Sequence, residues 1–223
     1  METIKVMPCK RPPFRNQYVI NTSGVFSLDD ERNSLVIQHN VLPKEYYENY
    51  LYHAVTTERK SGRSGFGQKP RSEVCYTTNG EPYKYSNLNH FTRQYPQHVL
   101  DIEPVLLDAV KKYIPGNKYV HLSNGVDIMY SEAFNRGGSI SAHSDNEDEW
   151  GLVIIFSLGQ TRYLRVRRIS DKTWYNVEMP HNSLIAMHGA TFQKLYTHQV
   201  DKLGKEERIG VRLSLNLRYK SVP

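Results

Sequence analysis

Cysteine is scarce in this chain. Cys9 and Cys75 are the only two among 223 residues, too few for a disulfide framework and suited to a reducing compartment. No apolar run approaches the ~20 residues that span a bilayer, so no membrane segment is expected. The opening METIKVMPCKRPPFRNQY is basic but has no apolar h-region, which argues against a secretory signal. An intracellular location, in cytoplasm or nucleus, is the expectation. Internal repeats and low-complexity tracts are also absent. What is present is a modest apolar content of 39% that includes 16 Tyr, and a formal charge of +6. The length suits one domain, expected to be a monomer. The charge tilts the balance towards polyanionic partners but excludes little, because many basic proteins bind no nucleic acid.

Residues 1–33 show no sustained periodicity and carry Pro8, Pro12 and Pro13, so they read as a tail or irregular arm ahead of a domain over 34–223. In LPKEYYENYLYHAV, Pro43 suits a first helical turn, and Tyr47, Tyr50, Leu51 and Ala54 recur at helical spacing. SGRSGFGQKPR, Ser61 to Arg71, is Gly-rich and basic and reads as a surface loop. A Tyr-rich stretch follows, with a turn expected at Asn79-Gly80. A second amphipathic helix is expected from about Pro104 to Ile114, stopped by Pro115-Gly116. From Gly125 the pattern changes to short alternating or apolar runs: VDIMYSEAF, SISAHSD, GLVIIFSL, TRYLRVRRI, TWYNVEM, SLIAMH, QKLYTHQV and RIGVRLSLNLRY. Many short strands at this spacing argue a β-sandwich or barrel, with helices supplied by the N-terminal half.

Two runs carry candidate chemistry. In His143-Ser144-Asp145, positions i and i+2 at a strand end point to one face, so both side chains can reach one metal ion. Imidazole plus carboxylate is two-thirds of a facial triad that leaves open positions on Fe(II). By itself the motif is weak, since nine His and 23 acids in 223 residues predict about one H-x-[DE] by chance. The second run is RLSLNLR, residues 212–218. Its alternation puts Arg212, Ser214, Asn216 and Arg218 on one face and three leucines on the other. If enclosed, two guanidiniums call for an anion, and a dicarboxylate matches Arg forks bidentately. A solvent-exposed polar face is equally compatible with the periodicity. A third ligand is offered by His198, with His181 and His188 as rivals by composition.

The order of these segments resembles the AlkB family of Fe(II)/2-oxoglutarate dioxygenases over about residues 35–220. HSDNEDE is similar to the family's iron-binding segment. IIFSLGQTRYLRVRR is similar to its core strand, turn and basic strand, and MPHNSLIAMHGATFQKLYTHQV to the strand, small-residue turn and distal-His segment. RLSLNLRYK resembles the closing R-x-N-x-T-x-R strand. The resemblance implies an α+β fold. Its core would be a double-stranded β-helix (jelly roll) of about eight strands, with N-terminal helices and a nucleotide-recognition lid over about 62–91. It implies Fe(II) as the metal, with 2-oxoglutarate and O2 as cosubstrates. His143, Asp145 and His198 become the iron ligands, Arg212 the anchor of the distal carboxylate, and Arg218 a holder of the chelating end. Ser214 stands where the family has Asn, and Glu147 becomes the acceptor for the exocyclic amine of a target base. The family's N-x-Y before the first ligand is replaced here by Tyr130-Ser131-Glu132, which leaves Tyr130 to supply the phenol through a shifted register.

On the same resemblance, Tyr85 is the aromatic that stacks on a flipped base, with Tyr83 beside it, although a half-buried strand face explains Tyr83 as well. Arg165, Arg167 and Arg168, with Lys69 and Arg71, would contact phosphates, where charge positions without reading sequence. The implied function is oxidative demethylation of N-alkylated nucleobases in DNA or RNA, as in nucleic-acid repair, with the methyl carbon leaving as formaldehyde and 2-oxoglutarate as succinate. A base must leave its stack to be reached. Two other readings stand beside it: a 2-oxoglutarate-dependent hydroxylase of protein or a small molecule, and a catalytically silent jelly-roll binding module.

Overall fold

Alternation in the second half of the chain is realised as strands. The computed structural model describes residues 17–28, 33–57, 60–64, 67–78, 80, 83–85, 88–90, 92–113, 119–131, 138–145, 151–189, 191–202 and 210–221. Of these, 60–64, 67–72, 83–85, 88–90, 119–131 and 220–221 are described by their backbone. The N-terminal half holds β1 (Gln17–Ile20), β2 (Gly24–Ser27), β3 (Ser34–His39), α1 (Lys44–Thr56), β4 (Lys60–Ser64) and β5 (Gly67–Thr77). Then come β6 (Tyr83–Tyr85), β7 (Leu88–His90), β8 (Thr92–Gln94) and α2 (Gln97–Lys111). The remainder is β9 (Tyr119–Ser131), β10 (Ile140–His143), β11 (Leu152–Gly159), β12 (Arg162–Arg168), β13 (Trp174–Met179), β14 (Ser183–His188), α3 (Phe192–Leu195), β15 (Tyr196–Val200) and β16 (Val211–Ser221).

The last eight strands divide between two sheets. One runs β9-β16-β11-β14 reversed within the order β2-β3-β14-β11-β16-β9-β5-β4, with β8 beside β5; the other runs β1-β13-β12-β15-β10. This is the double-stranded β-helix, with four strands of the last eight in each sheet. The larger sheet is buried on both faces. Val153, Ile155, Ile185, Met187, Leu35 and Ile37 meet the smaller sheet's Leu164, Val166, Val177 and Val200. The opposite face, including Leu152, Ile154, Phe156, Leu213, Leu215 and Leu217, packs on Tyr50, Val99, Ile102 and Leu106 of the two long helices. Burial on both sides is why GLVIIFSL is continuously apolar rather than alternating. RLSLNLR alternates because only its leucine face meets the helices.

Three expectations are corrected. The arm up to residue 33 contains β1 and β2 from Gln17 onward: β1 pairs in parallel with β13, and β2 pairs antiparallel with β3. Ile20, Phe26 and Leu28 are buried. Four-residue strands show too little periodicity to be read without their partners. The described parts of the Gly-rich 61–71 segment, 61–64 and 67–71, belong to the paired β4 and β5, and β5 continues along β9. The first half of the expected lid is therefore part of the main sheet, where Val74, Cys75 and Tyr76 are buried. That leaves β6 and β7 as a separate two-stranded unit. The second helix starts at Gln97, not near Pro104, which lies inside it. Pro104 is exposed, so water can serve the carbonyl that its missing N–H leaves free. The Asn79-Gly80 turn is placed at Gly80, whose φ of 73° suits glycine and whose N–H lies 3.4 Å from the Thr77 carbonyl.

Candidate metal centre and cosubstrate pocket

Antiparallel pairing of β10 with β15 puts His143 opposite His198 across an irregular register. The polar face of β16 lies across the interior from them. Asp145 follows two residues after His143, beyond the last paired residue of β10. The ring centroids of His143 and His198 are 4.2 Å apart. Each Nε2 lies 3.8 Å from an oxygen of Asp145. The three donor atoms are within 4.8 Å of one another, the one such cluster among the described residues. His188 instead sits beside Ser34, and His181 accepts the Gly159 N–H, so neither rival reaches the cluster.

The protonation states suit a cation. His143 Nδ1 is 2.9 Å from the Ser141 carbonyl; a carbonyl only accepts, so Nδ1 donates to it and Nε2 is the nitrogen turned towards Asp145. Burial, reinforced by the nearby His143, drives His198 from its usual 6.5 down to about 3, against the pull of Asp145. It is a neutral imidazole. Burial alone would raise Asp145, but Arg218, His198 and His143 outweigh it and hold the carboxylate down to about 2. Two imidazoles and one carboxylate are the donor set that Fe(II) takes in a facial triad. These residues fit it.

These shifts give the metal-free protein an acid-side loss of stability, to which His188, also lowered by burial, adds. While His198 stays neutral in the fold, the unfolded chain takes up its proton. Stability is therefore complete above about pH 6.5 and falls as pH drops towards about 3. Asp145 adds a further loss as pH falls through the range between the ordinary carboxylate value and about 2. Denaturant melts of metal-free protein should decline steadily from about pH 7 to 4, and His198→Asn should flatten that decline. A decline undiminished by the substitution would count against His198 as a source, whereas a residual slope is expected from His188.

Ile140, Ile155, Leu164 and Val200 form apolar walls of the pocket that holds the cluster, and Met179, Arg212, Ser214, Asn216 and Arg218 complete its lining. The polar face of β16 is thus enclosed. Arg212 is 1% exposed; its Nε donates to Ser157 Oγ at 3.0 Å and an Nη lies 3.4 Å from the Met179 sulfur. Arg218 donates from one Nη to both oxygens of Asp145, each at 3.1 Å. Ser214 Oγ lies 3.5 Å from Asn216 Oδ1. Sequence reasoning missed Ser157 and Met179. Ser157 was legible, because alternation in β11 places it on the same face as Val153 and Ile155.

Among the described residues, the expected arginines of β12 lie outside the pocket. Arg168 binds Asp171, the Leu28 carbonyl and Tyr175, which is a structural corner rather than a phosphate contact. Arg165 and Arg167 alternate with the buried Leu164 and Val166, so they lie on the outer face of β12. They flank Trp174 at 4.3 and 5.5 Å from its ring centroid, and Arg165 pairs with Asp201 at 2.6 Å. Tyr130 stands opposite Arg212 in the β9–β16 register. Its side chain lies outside the described residues, as do the side chains of Tyr83, Tyr85, Lys69 and Arg71. Glu132 and Glu147 lie outside them altogether.

A family profile described as the 2OG-Fe(II) oxygenase superfamily matches residues 52–218. The chain belongs to that superfamily, and membership implies Fe(II), 2-oxoglutarate and O2. Solved structures that share its fold include two of different chemistry. One is a prolyl hydroxylase from Trichoplax adhaerens in complex with a hypoxia inducible factor oxygen degradation domain peptide fragment, at a TM-score of 0.56 and 10% identity, covering 83% of each chain. The other is OsALKBH1, an AlkB homologue by its name, at a TM-score of 0.56 and 16% identity, covering 87% of this chain and 99% of that one. No curated protein matches the chain significantly.

Proposed function

We propose that this oxygenase is of the AlkB type and oxidatively demethylates N-alkylated nucleobases. The carrying observation is one enclosed pocket in which His143, Asp145 and His198 face the Arg212–Arg218 side of β16. The nucleobase reading rests on the ordered AlkB-like segments, the charge of +6 and the likeness to OsALKBH1. Bound Fe(II), with 2-oxoglutarate and O2, supplies the oxidising power to hydroxylate a C–H bond next to nitrogen. The chain's own part is positioning. Its two imidazoles and the Asp145 carboxylate would hold the metal on one side. Arg212, at the far end of the polar face, would take the distal carboxylate of 2-oxoglutarate. Arg218 neutralises Asp145 and keeps it deprotonated. The apolar walls exclude water from the reacting end.

Mass spectrometry of oligonucleotides carrying N1-methyladenine or N3-methylcytosine tests this reading. The expected product is one CH2 unit lighter than the substrate and appears only with Fe(II) and 2-oxoglutarate. The prolyl hydroxylase likeness favours one second reading, a peptide hydroxylase, whose product would gain an oxygen. If no modified oligonucleotide is turned over while 2-oxoglutarate is consumed and a peptide gains oxygen, the nucleobase assignment fails. No consumption of 2-oxoglutarate at all would favour a silent binding module. On the nucleobase reading, Tyr85→Ala should lower oligonucleotide turnover about tenfold or more, since stacking is worth ~1–3 kcal/mol per base. Uncoupled 2-oxoglutarate decarboxylation should hardly change, and Phe at this position should restore most of the loss. Equal loss of both activities would remove Tyr85 from substrate binding.

A further inference from the structure

The least supported backbone in the candidate metal centre belongs to its only carboxylate. Ladder pairing of β10 ends at His143, so Ser144 and Asp145 have no strand partner to hold them. Arg218 holds the Asp145 side chain and not its backbone. Two hydrogen bonds from a distant segment take over there. The Ser144 hydroxyl donates to the Tyr196 carbonyl at 2.8 Å, and the Asp145 N–H donates to Gln193 Oε1 at 2.9 Å. Gln193 belongs to the single turn of α3 that runs directly into β15, the strand carrying His198. It is 4% exposed.

We infer that Gln193 is a positioning residue for the metal centre, tying the Asp145 backbone to the segment that carries His198. The inference rests on the metal reading given above. A buried polar side chain needs partners, and this one meets a backbone N–H that no strand satisfies. The tie crosses 48 residues of sequence and joins the two ends of the ligand set. With it, the distance between the carboxylate and both imidazoles is set before any ion arrives. Without it, binding an ion must first order the 144–145 backbone, and affinity falls by the free energy of that ordering. Residues that support ligands in this way typically change metal affinity by about 10–100-fold.

The test is a titration of the full-length, metal-stripped protein with Co(II), read from the d–d absorption bands of the bound ion, together with a thermal melt of each metal-free variant. Gln193→Leu removes the acceptor and should weaken Co(II) about 10–100-fold. Gln193→Glu keeps an oxygen at that position and should recover most of the affinity, a rescue that a merely space-filling role would not produce. Should Gln193→Leu not fold, Gln193→Asn withdraws the acceptor by one methylene with the amide retained, and the same weakening is expected from it. Co(II) affinity within twofold of wild type in a folded Leu or Asn variant would overturn the inference while leaving the metal reading intact. If the unaltered protein takes up no Co(II), the metal reading itself fails, and the inference falls with it.

Discussion

Replacing Asp145 by alanine should abolish metal uptake and 2-oxoglutarate turnover together. The carboxylate is the only anionic donor in the cluster, and both imidazoles lie 3.8 Å from it. The loss should exceed the about 10–100-fold typical of residues that only support ligands. Stability is a separate effect that must be controlled. Arg218, whose side chain is 12% exposed, would lose its counter-ion, and removing one partner of a buried pair costs about 3–5 kcal/mol. Asp145→Asn keeps an oxygen for Arg218 but drops the charge, so it should fold better than the Ala variant and still fail to hold iron. His198→Ala should behave like Asp145→Ala, whereas His188→Ala should retain turnover, because His188 contacts Ser34 rather than the cluster. Near-normal Fe(II)-dependent activity in either Asp145 variant would show that the ligands are elsewhere.

Arg212→Lys should raise the half-saturation concentration of 2-oxoglutarate about 10–100-fold, because a hydrogen bond to a charged group is worth about 1.5–3 kcal/mol. Lysine keeps the charge but loses the planar fork that matches a carboxylate. It also loses the Nε that donates to Ser157 Oγ, so the cation is no longer held against the wall of β11. Turnover at saturating 2-oxoglutarate should fall much less than the apparent affinity, which separates cosubstrate anchoring from damage to the metal centre. Arg212→Met should be worse than Lys in both respects. An unchanged half-saturation concentration in Arg212→Lys would remove Arg212 as the anchor and leave Asn216 and Ser214, its neighbours on the same face, to be tested.

The residues that build this pocket were legible to different degrees. Each strand run from GLVIIFSL to RLSLNLR corresponds to an observed strand, because period-two patterning is written locally in the chain. RLSLNLR showed two committed faces, but not that the polar one is enclosed. Enclosure depends on β12, β13 and β15 covering it, and no local pattern encodes that. The same limit applied to the third ligand. His181, His188 and His198 are equivalent by composition, and only the β10–β15 pairing sets His198 opposite His143. Basic residues misled for the opposite reason. Arg168 was expected to contact phosphate, yet a part-buried corner of carbonyl and phenol oxygens holds it.

By itself, then, the sequence marked the strand runs of the core, the two faces of β16 and the His143–Asp145 part of a facial triad, all of which follow from side-chain chemistry and spacing within a few residues. It also contained the ordered segments by which the family was recognised. Tertiary structure decided where β1 and β2 pair and that the described parts of the Gly-rich 61–71 segment are sheet rather than loop, and it brought His198, the ligand the resemblance had implied, opposite His143. It also decided that Gln193 holds the Asp145 backbone. Those outcomes depend on hydrogen bonds between backbone groups distant in sequence, such as the pair 48 residues apart that joins Asp145 to Gln193. Every residue but proline offers the same N–H and C=O, so the partner is chosen by how the sheets close and not by the residue types themselves.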